Sequence, residues 1–240
     1  MQFEPNFDLL HDCNVSSKEF VDITGALPCI AVFRRDNKTL VYICDNHRVN
    51  IAFDMVERCF ADDFEIKPDV LVAEIENAEY ERKLTQHGFQ DNNLAHAVGV
   101  AAKRNIPVVF ADLSLSQMVD VVNAGFPNNQ VTKSDLSRIL HAQPDSDGDI
   151  NQQMHAYLCL YGRDRFMLQN IATALNKYDT VFVIFGWSHF ANQRLALEDM
   201  MGKPEYITKI KNMRGDFSDV KIEPIKLCEF EMVKDDDKRS

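Results

Sequence analysis

Four apolar runs in this 240-residue chain end in side chains that can ligate a metal or move a proton. Leu40-Val41-Tyr42-Ile43 runs into Cys44-Asp45-Asn46-His47, and Val70 to Ala73 runs into Glu74. Val108-Val109-Phe110-Ala111 ends at Asp112, and Val181 to Phe185 ends in Gly186-Trp187-Ser188-His189. If these runs are parallel neighbouring strands, their imidazoles and carboxylates meet on one rim, which is where open α/β sheets bind ligands. Neutral imidazole with carboxylate is the usual donor set of a catalytic Zn, Mn or Fe ion, which lowers the pKa of a bound water for hydrolysis. His47, Glu74 and His189 are therefore the candidate metal ligands. Glu74 directly follows four apolar residues of a buried-type strand, so its carboxylate requires a cation, an arginine or a proton.

Other motifs fall short on chemistry. Gly186-Trp187-Ser188-His189-Phe190 resembles a nucleophile elbow, but Phe190 stands where the sharp turn needs glycine. No histidine follows His189, so the order of an α/β-hydrolase triad is not available to Ser188. Asp145-Ser146-Asp147-Gly148-Asp149 hints at a calcium loop, yet the glycine comes two positions early and Ala156 occupies the place of the bidentate carboxylate. His155 and Cys159 lie one helical turn apart with no evident third ligand. His11, His87, His96 and His141 have no partner at ligand spacing and read as surface or core histidines.

The elements that must position these residues alternate along the chain. Ile30 to Arg34 and Leu40 to Cys44 are β-branched runs joined at Asp36-Asn37-Lys38, the pattern of a hairpin. Helical spacing covers Asn50 to Phe64 and Leu94 to Arg104, and Ser114 is placed to cap a helix reaching about Asn123. Residues Gln143 to Asp149 read as an exposed loop. One long helix is expected across Met154, Leu158, Tyr161, Leu168, Ile171 and Leu175, followed by a strand over Thr180 to Phe185 and a helix from about Ala191 to Met201. Val220 to Phe230 reads as a strand that Pro224 confines to an edge. Strand–helix alternation of this kind predicts one α/β domain over 1–240, with a mixed, largely parallel central sheet flanked by helices.

Composition removes several function classes. Apolar residues make up 45% and charged residues 26%, which is ordinary globular usage. Lys and Arg total 26 against 37 Asp and Glu, giving a formal charge of −11 and no basic stripe for a nucleic acid. No apolar run approaches the roughly 18 residues of a membrane span. Six scattered cysteines without a C-x-x-C pair fit reduced thiols in a cytoplasmic protein. The expected partner is thus a small molecule or a peptide, with neither nucleic acid nor membrane involved; oligomeric state is not legible.

Over about residues 40–202 the chain resembles the TraB/TIKI superfamily, which also takes in ChaN-like proteins and erythromycin esterases. That pattern has two G-x-x-H motifs at strand ends, a P-D-x-x-x-x-E strand between them and an R-D pair on a helix before the second. Gly186-Trp187-Ser188-His189 matches the second motif, and Pro68-Asp69-Val70-Leu71-Val72-Ala73-Glu74 matches the acidic strand. Lys103 to Val109 with Asp112 is similar to the next strand, and Arg163-Asp164-Arg165 to the R-D element. The first motif departs from the pattern, with Cys44 in place of its glycine. The resemblance implies one scaffold with divergent chemistry: metal-dependent proteolysis with both histidines and the glutamate, metal-free ester hydrolysis with histidine and glutamate, or haem and iron binding.

The expectation that follows is a hydrolase of peptide or amide bonds, with Mn, Zn, Co or Fe held by His47, Glu74 and His189. Glu74 would be a ligand or the general base for water. Arg163 would stabilise an oxyanion, hold a substrate carboxylate, or simply pair with Glu74, and Asp112 would orient a histidine. The alternatives are a metal-free esterase-like hydrolase and a non-catalytic protein that holds iron, haem or a small ligand.

Overall fold

The structure is a computed structural model that describes residues 2–11, 29–45, 49–76, 93–141, 149–207, 225 and 227–230. Its strands are β1 (Cys29–Arg35), β2 (Lys38–Asp45), β3 (Val70–Ala73), β4 (Val108–Phe110), β5 (Thr180–Gly186) and β6 (Glu205–Ile207). The helices are α1 (Val49–Phe60), α2 (Asn93–Lys103), α3 (Leu115–Gly125), α4 (Leu136–Leu140), α5 (Ile150–Tyr157), α6 (Asp164–Lys177) and α7 (Trp187–Met201). A π-helical segment, Leu158–Arg163, joins α5 to α6 without interrupting the helical backbone.

The strands form one mixed sheet in the order β4-β3-β5-β2-β1-β6. β4, β3, β5 and β2 are mutually parallel neighbours, and β1 runs against both β2 and β6. This is the single α/β domain expected, with the β1–β2 hairpin in register from Cys29–Cys44 to Arg35–Lys38. Asp36 makes that tight turn at φ 54, a conformation aspartate tolerates better than most side chains. β6 was not foreseen. It is three residues long and begins after Gly202-Lys203-Pro204, too little sequence for a periodic signal.

Alternation along the strands divides the core in two. Tyr42, Val72, Val183 and Phe185 pack under α6 and α7, whereas Ile43, Leu71, Phe182 and Ile184 pack against α1 and α2. Full burial of each such large side chain contributes about 1.5–3 kcal/mol. A smaller cluster, including Leu113, Met118, Val122, Ile139, Met154 and Leu158, fixes α3, α4 and α5 beyond the sheet. Ser114 caps α3 through a reciprocal bond with Gln117, as its spacing predicts.

Two expectations need correction. The helix after β5 begins at Trp187, four residues before Ala191, because Gly186 is at once the last residue of the strand and the N-cap of α7. The long helix across Met154 to Leu175 contains the π turn, because apolar spacing does not distinguish a wide turn from an α turn. The strand expected over Val220 to Phe230 is absent from its described part, residues 225 and 227–230, although Ile225 N–H donates to Val108 O at 2.8 Å beside β4. The loop expected at 143–149 lies outside the described residues except for Asp149, which caps α5. Among the described residues, no helix is long and apolar enough to cross a membrane.

Candidate active site

The parallel strands bring their carboxyl ends to one rim, and the order of the sheet reverses between β3 and β5. From β3 the chain passes through α2 to β4 on one side, while β5 leads through α7 to β6 on the other. Such a switch point opens a crevice, and Glu74 and Gly186 flank it. The Glu74 backbone N–H donates to Ile184 O at 3.0 Å, extending the pairing of β3 with β5 by one residue. Its carboxylate then reaches over the end of β5, where Oε2 accepts the N–H of Gly186. That N–H opens α7, so the carboxylate also lies at the positive end of a helix.

The other Glu74 oxygen meets two cations. Arg163 Nη2 donates to Oε1 at 2.8 Å, and His189 Nε2 lies 3.2 Å from the same atom. Arg163 also grips Asp112 with a fork, Nε to Oδ1 at 2.9 Å and Nη2 to Oδ2 at 2.8 Å. His189 Nδ1 donates to Asp164 Oδ1 at 2.8 Å. Asp164 is fully buried and accepts two more bonds, from Asn192 Nδ2 at 2.9 Å and Gln193 Nε2 at 2.8 Å. Tyr42, itself buried, donates its hydroxyl to Gln193 Oε1 at 3.3 Å.

The result is a chain of alternating charge: Asp164, His189, Glu74, Arg163, Asp112. Burial alone would strip His189 of its proton. The carboxylates of Glu74 and Asp164 outweigh that, against the repulsion of Arg163, and push its pKa up to about 10. Burial likewise works against the Arg163 charge, and Asp112 and Glu74 more than restore it. Cys159, beside the same group, is pushed up to about 12 by burial and stays a thiol at neutral pH.

The sequence-derived candidates are thus largely assembled. Glu74, Arg163, Asp112 and His189 meet in one buried network, and His47 lies outside the described residues. Asp112 binds Arg163 with both oxygens, and among the described residues no histidine bonds to it. The residue that orients His189 is Asp164. Its signals in the sequence were its position beside Arg163 and the amides Asn192 and Gln193, three and four residues after His189. Ser188 is exposed on the first turn of α7. Cys44 points into the core beside Cys29, its cross-strand partner, and both are fully buried. His96 is buried too, with Nε2 2.9 Å from Glu57 on α1.

The fit to a divalent cation turns on the donors. Among the described residues, no group of three or more His, Cys, Asp or Glu side chains is placed to hold a metal ion. Glu74 Oε1 already faces a guanidinium and an imidazolium, and Oε2 accepts a backbone N–H. A metal ligand must be a neutral imidazole, and a dication on Oε1 would sit close to the fixed charge of Arg163. The described donor set therefore suits proton transfer and anion stabilisation better than cation binding. One donor remains open: Nη1 of Arg163 has no hydrogen-bond partner among the described residues, on a side chain that is 13% exposed.

No protein-family model, no curated protein and no solved structure matches the chain.

Proposed function

We propose that this protein is a hydrolase of carboxylic ester or amide bonds that works without a metal ion, with its centre at the carboxyl ends of β3, β4 and β5. The observation that carries this reading is the pair of cations, the largely buried Arg163 and the buried His189, converging on one oxygen of Glu74. Nη1 of Arg163 is the open donor for the oxyanion that forms when water adds to a carbonyl carbon. The His189 imidazolium holds the proton that a departing alkoxide or amine needs. Glu74 and Asp164 keep that proton in place, and Asp112 keeps the guanidinium plane fixed. The resemblance to the TraB/TIKI superfamily, with its esterase-like branch, agrees with this reading.

A second reading is the metal-dependent hydrolase of peptide or amide bonds, with Mn, Zn, Co or Fe on His47, Glu74 and His189. It is favoured by Asp164 on Nδ1 of His189, because carboxylates orient metal-bound histidines in this way.

Hydrolysis of a panel of carboxylic esters and amides by the full chain, purified without added metal, tests both readings. Activity that persists in chelator and falls roughly 10- to 100-fold in Arg163→Lys supports the first, since lysine keeps the charge but loses the fork. Activity abolished by chelator and restored by Zn or Mn ions selects the second. Tight iron or haem binding with no turnover on any substrate would set both aside.

A further inference from the structure

No close cysteine spacing marks a pair in the sequence, but the β1–β2 hairpin makes one. Its register runs without a bulge from Arg35–Lys38 at the turn to Cys29–Cys44 at the far end, so these two cysteines stand directly opposite each other. Residues so placed send their side chains to the same face of the sheet. Both belong to the half of the core under α6 and α7, and both are fully buried there. Their thiols lie within hydrogen-bond reach of each other. Directly opposed residues of an antiparallel pair have Cα atoms about 4.5–5.5 Å apart, which falls inside the span of about 4.4–6.8 Å that a disulfide closes.

The remaining described cysteines are placed differently. Cys59 is buried on the opposite face of the sheet, Cys159 lies in the π segment, and Cys228 is half-buried in the C-terminal stretch. Cys29 with Cys44 is the pairing that a strand register sets face to face.

We propose that Cys29 and Cys44 are a modification site, at which oxidation joins them in a disulfide across the β1–β2 hairpin with the fold unchanged. The bond closes the loop from Cys29 to Cys44 and so removes freedom from the unfolded chain. It also anchors the end of β2 to β1 at the place where β2 borders the crevice. Cys44 is there the neighbour of Phe185, and Asp45 the neighbour of Gly186, the residue that opens α7.

The oxidant is a low-molecular-weight disulfide such as oxidised glutathione. One cysteine thiolate attacks it, forming a mixed disulfide and releasing one glutathione thiolate. The other cysteine thiolate attacks the protein sulfur of that intermediate, the mixed bond breaks and the second glutathione leaves. Two protons and two electrons thus pass from the cysteines to two glutathione thiols. Burial suppresses these steps in the folded protein, because it keeps the Cys44 thiol neutral and excludes the reagent. The hairpin is a local pairing through the tight turn at Asp36-Asn37, so the cysteines meet before α6 and α7 cover them. The bond forms while that face is open, and burial afterwards shields it from reductant.

In the test, the full chain is incubated with oxidised glutathione in urea just below its unfolding midpoint, returned to buffer and alkylated. Trypsin cuts after Arg34, Arg35 and Lys38, so the two cysteines leave in separate peptides unless a bond joins them. We expect mass spectrometry of a non-reducing digest to find these two peptides joined through Cys29 and Cys44. The melting temperature of the linked protein should exceed that of the same protein kept in dithiothreitol by roughly 5–10 °C. Cys29→Ala and Cys44→Ala, treated alike, should show neither change. Recovery of Cys29 and Cys44 as separate alkylated thiols or glutathione adducts overturns the proposal, as does a link from either one to a different cysteine. A Cys29–Cys44 bond that leaves the melting temperature unchanged or lowers it shows that the native hairpin does not accommodate the link, and overturns it as well. The hydrolase reading stands or falls separately, on the ester and amide panel.

Discussion

Arg163 and Asp164 are consecutive in the chain, yet they serve opposite ends of one buried chain of charge. Arg163 binds Glu74 and Asp112 from the last position of the π segment, and Asp164 binds His189 from the first position of α6. Between them lies the contact of His189 with Glu74, so two neighbouring backbone positions hold both partners of that pair.

Substituting Glu74→Gln removes the one negative charge that two cations share while keeping its shape. The loss leaves Arg163 and His189 repelling each other in a buried site. We expect a destabilisation of about 3 kcal/mol by urea unfolding. Ester or amide hydrolysis should fall at least about 100-fold. Unchanged stability would show that the network is not charged as described.

The raised pKa of His189 makes stability depend on pH with a definite sign. The folded protein binds this proton up to about pH 10, whereas the unfolded chain releases it near the ordinary histidine value of 6.5. The contribution is therefore complete below about pH 6.5 and is lost as pH rises toward 10. Unfolding free energy measured across that window should decline in the wild type and decline less steeply in His189→Gln. Parallel curves would contradict a protonated His189.

Thiol labelling reports the core directly. Cys29, Cys44, Cys59 and Cys159 are buried cysteines, and Cys228 is half-buried. Burial pushes the thiol pKa up at Cys44, Cys59 and Cys159. Iodoacetamide at pH 8 should modify Cys228 well before these three, as read by peptide mass spectrometry without denaturant. Early labelling of Cys44 would mean that the end of β2 opens readily.

Much of this arrangement was legible in the residues. A carboxylate after four apolar residues required a cation, an arginine or a proton, and Glu74 meets Arg163 and His189. The parallel neighbours followed from β-branched runs separated by helical spacing, and the convergence of Asp112, Glu74 and His189 followed from that. The pairing of Asp112 with Arg163 was not legible, because either side chain could have reached several partners across a crevice whose width the sequence does not encode. Asp164 was hidden for another reason. Its three partners lie 25, 28 and 29 residues away, on a helix whose start the sequence placed four residues too late. The π turn left only Gly162 as a trace, where an added Cβ would stand 3.1 Å from both methyls of Val121.

That turn gives the chain slack at one place in a long helix. A one-residue deletion between Leu158 and Gly162 would let the backbone relax into ordinary α winding, with no hydrogen bond or buried residue type obviously lost. The wide turn holds its extra residue within itself, so everything upstream would keep its phase relative to Asp164. Met154 would stay in the small core, and the change would fall on the residues of the turn itself. A surface loop absorbs several extra residues at little cost, since closure entropy grows only slowly with length. An added residue in the regular winding of α6 has no such slack and would turn all that precedes it by about 100°.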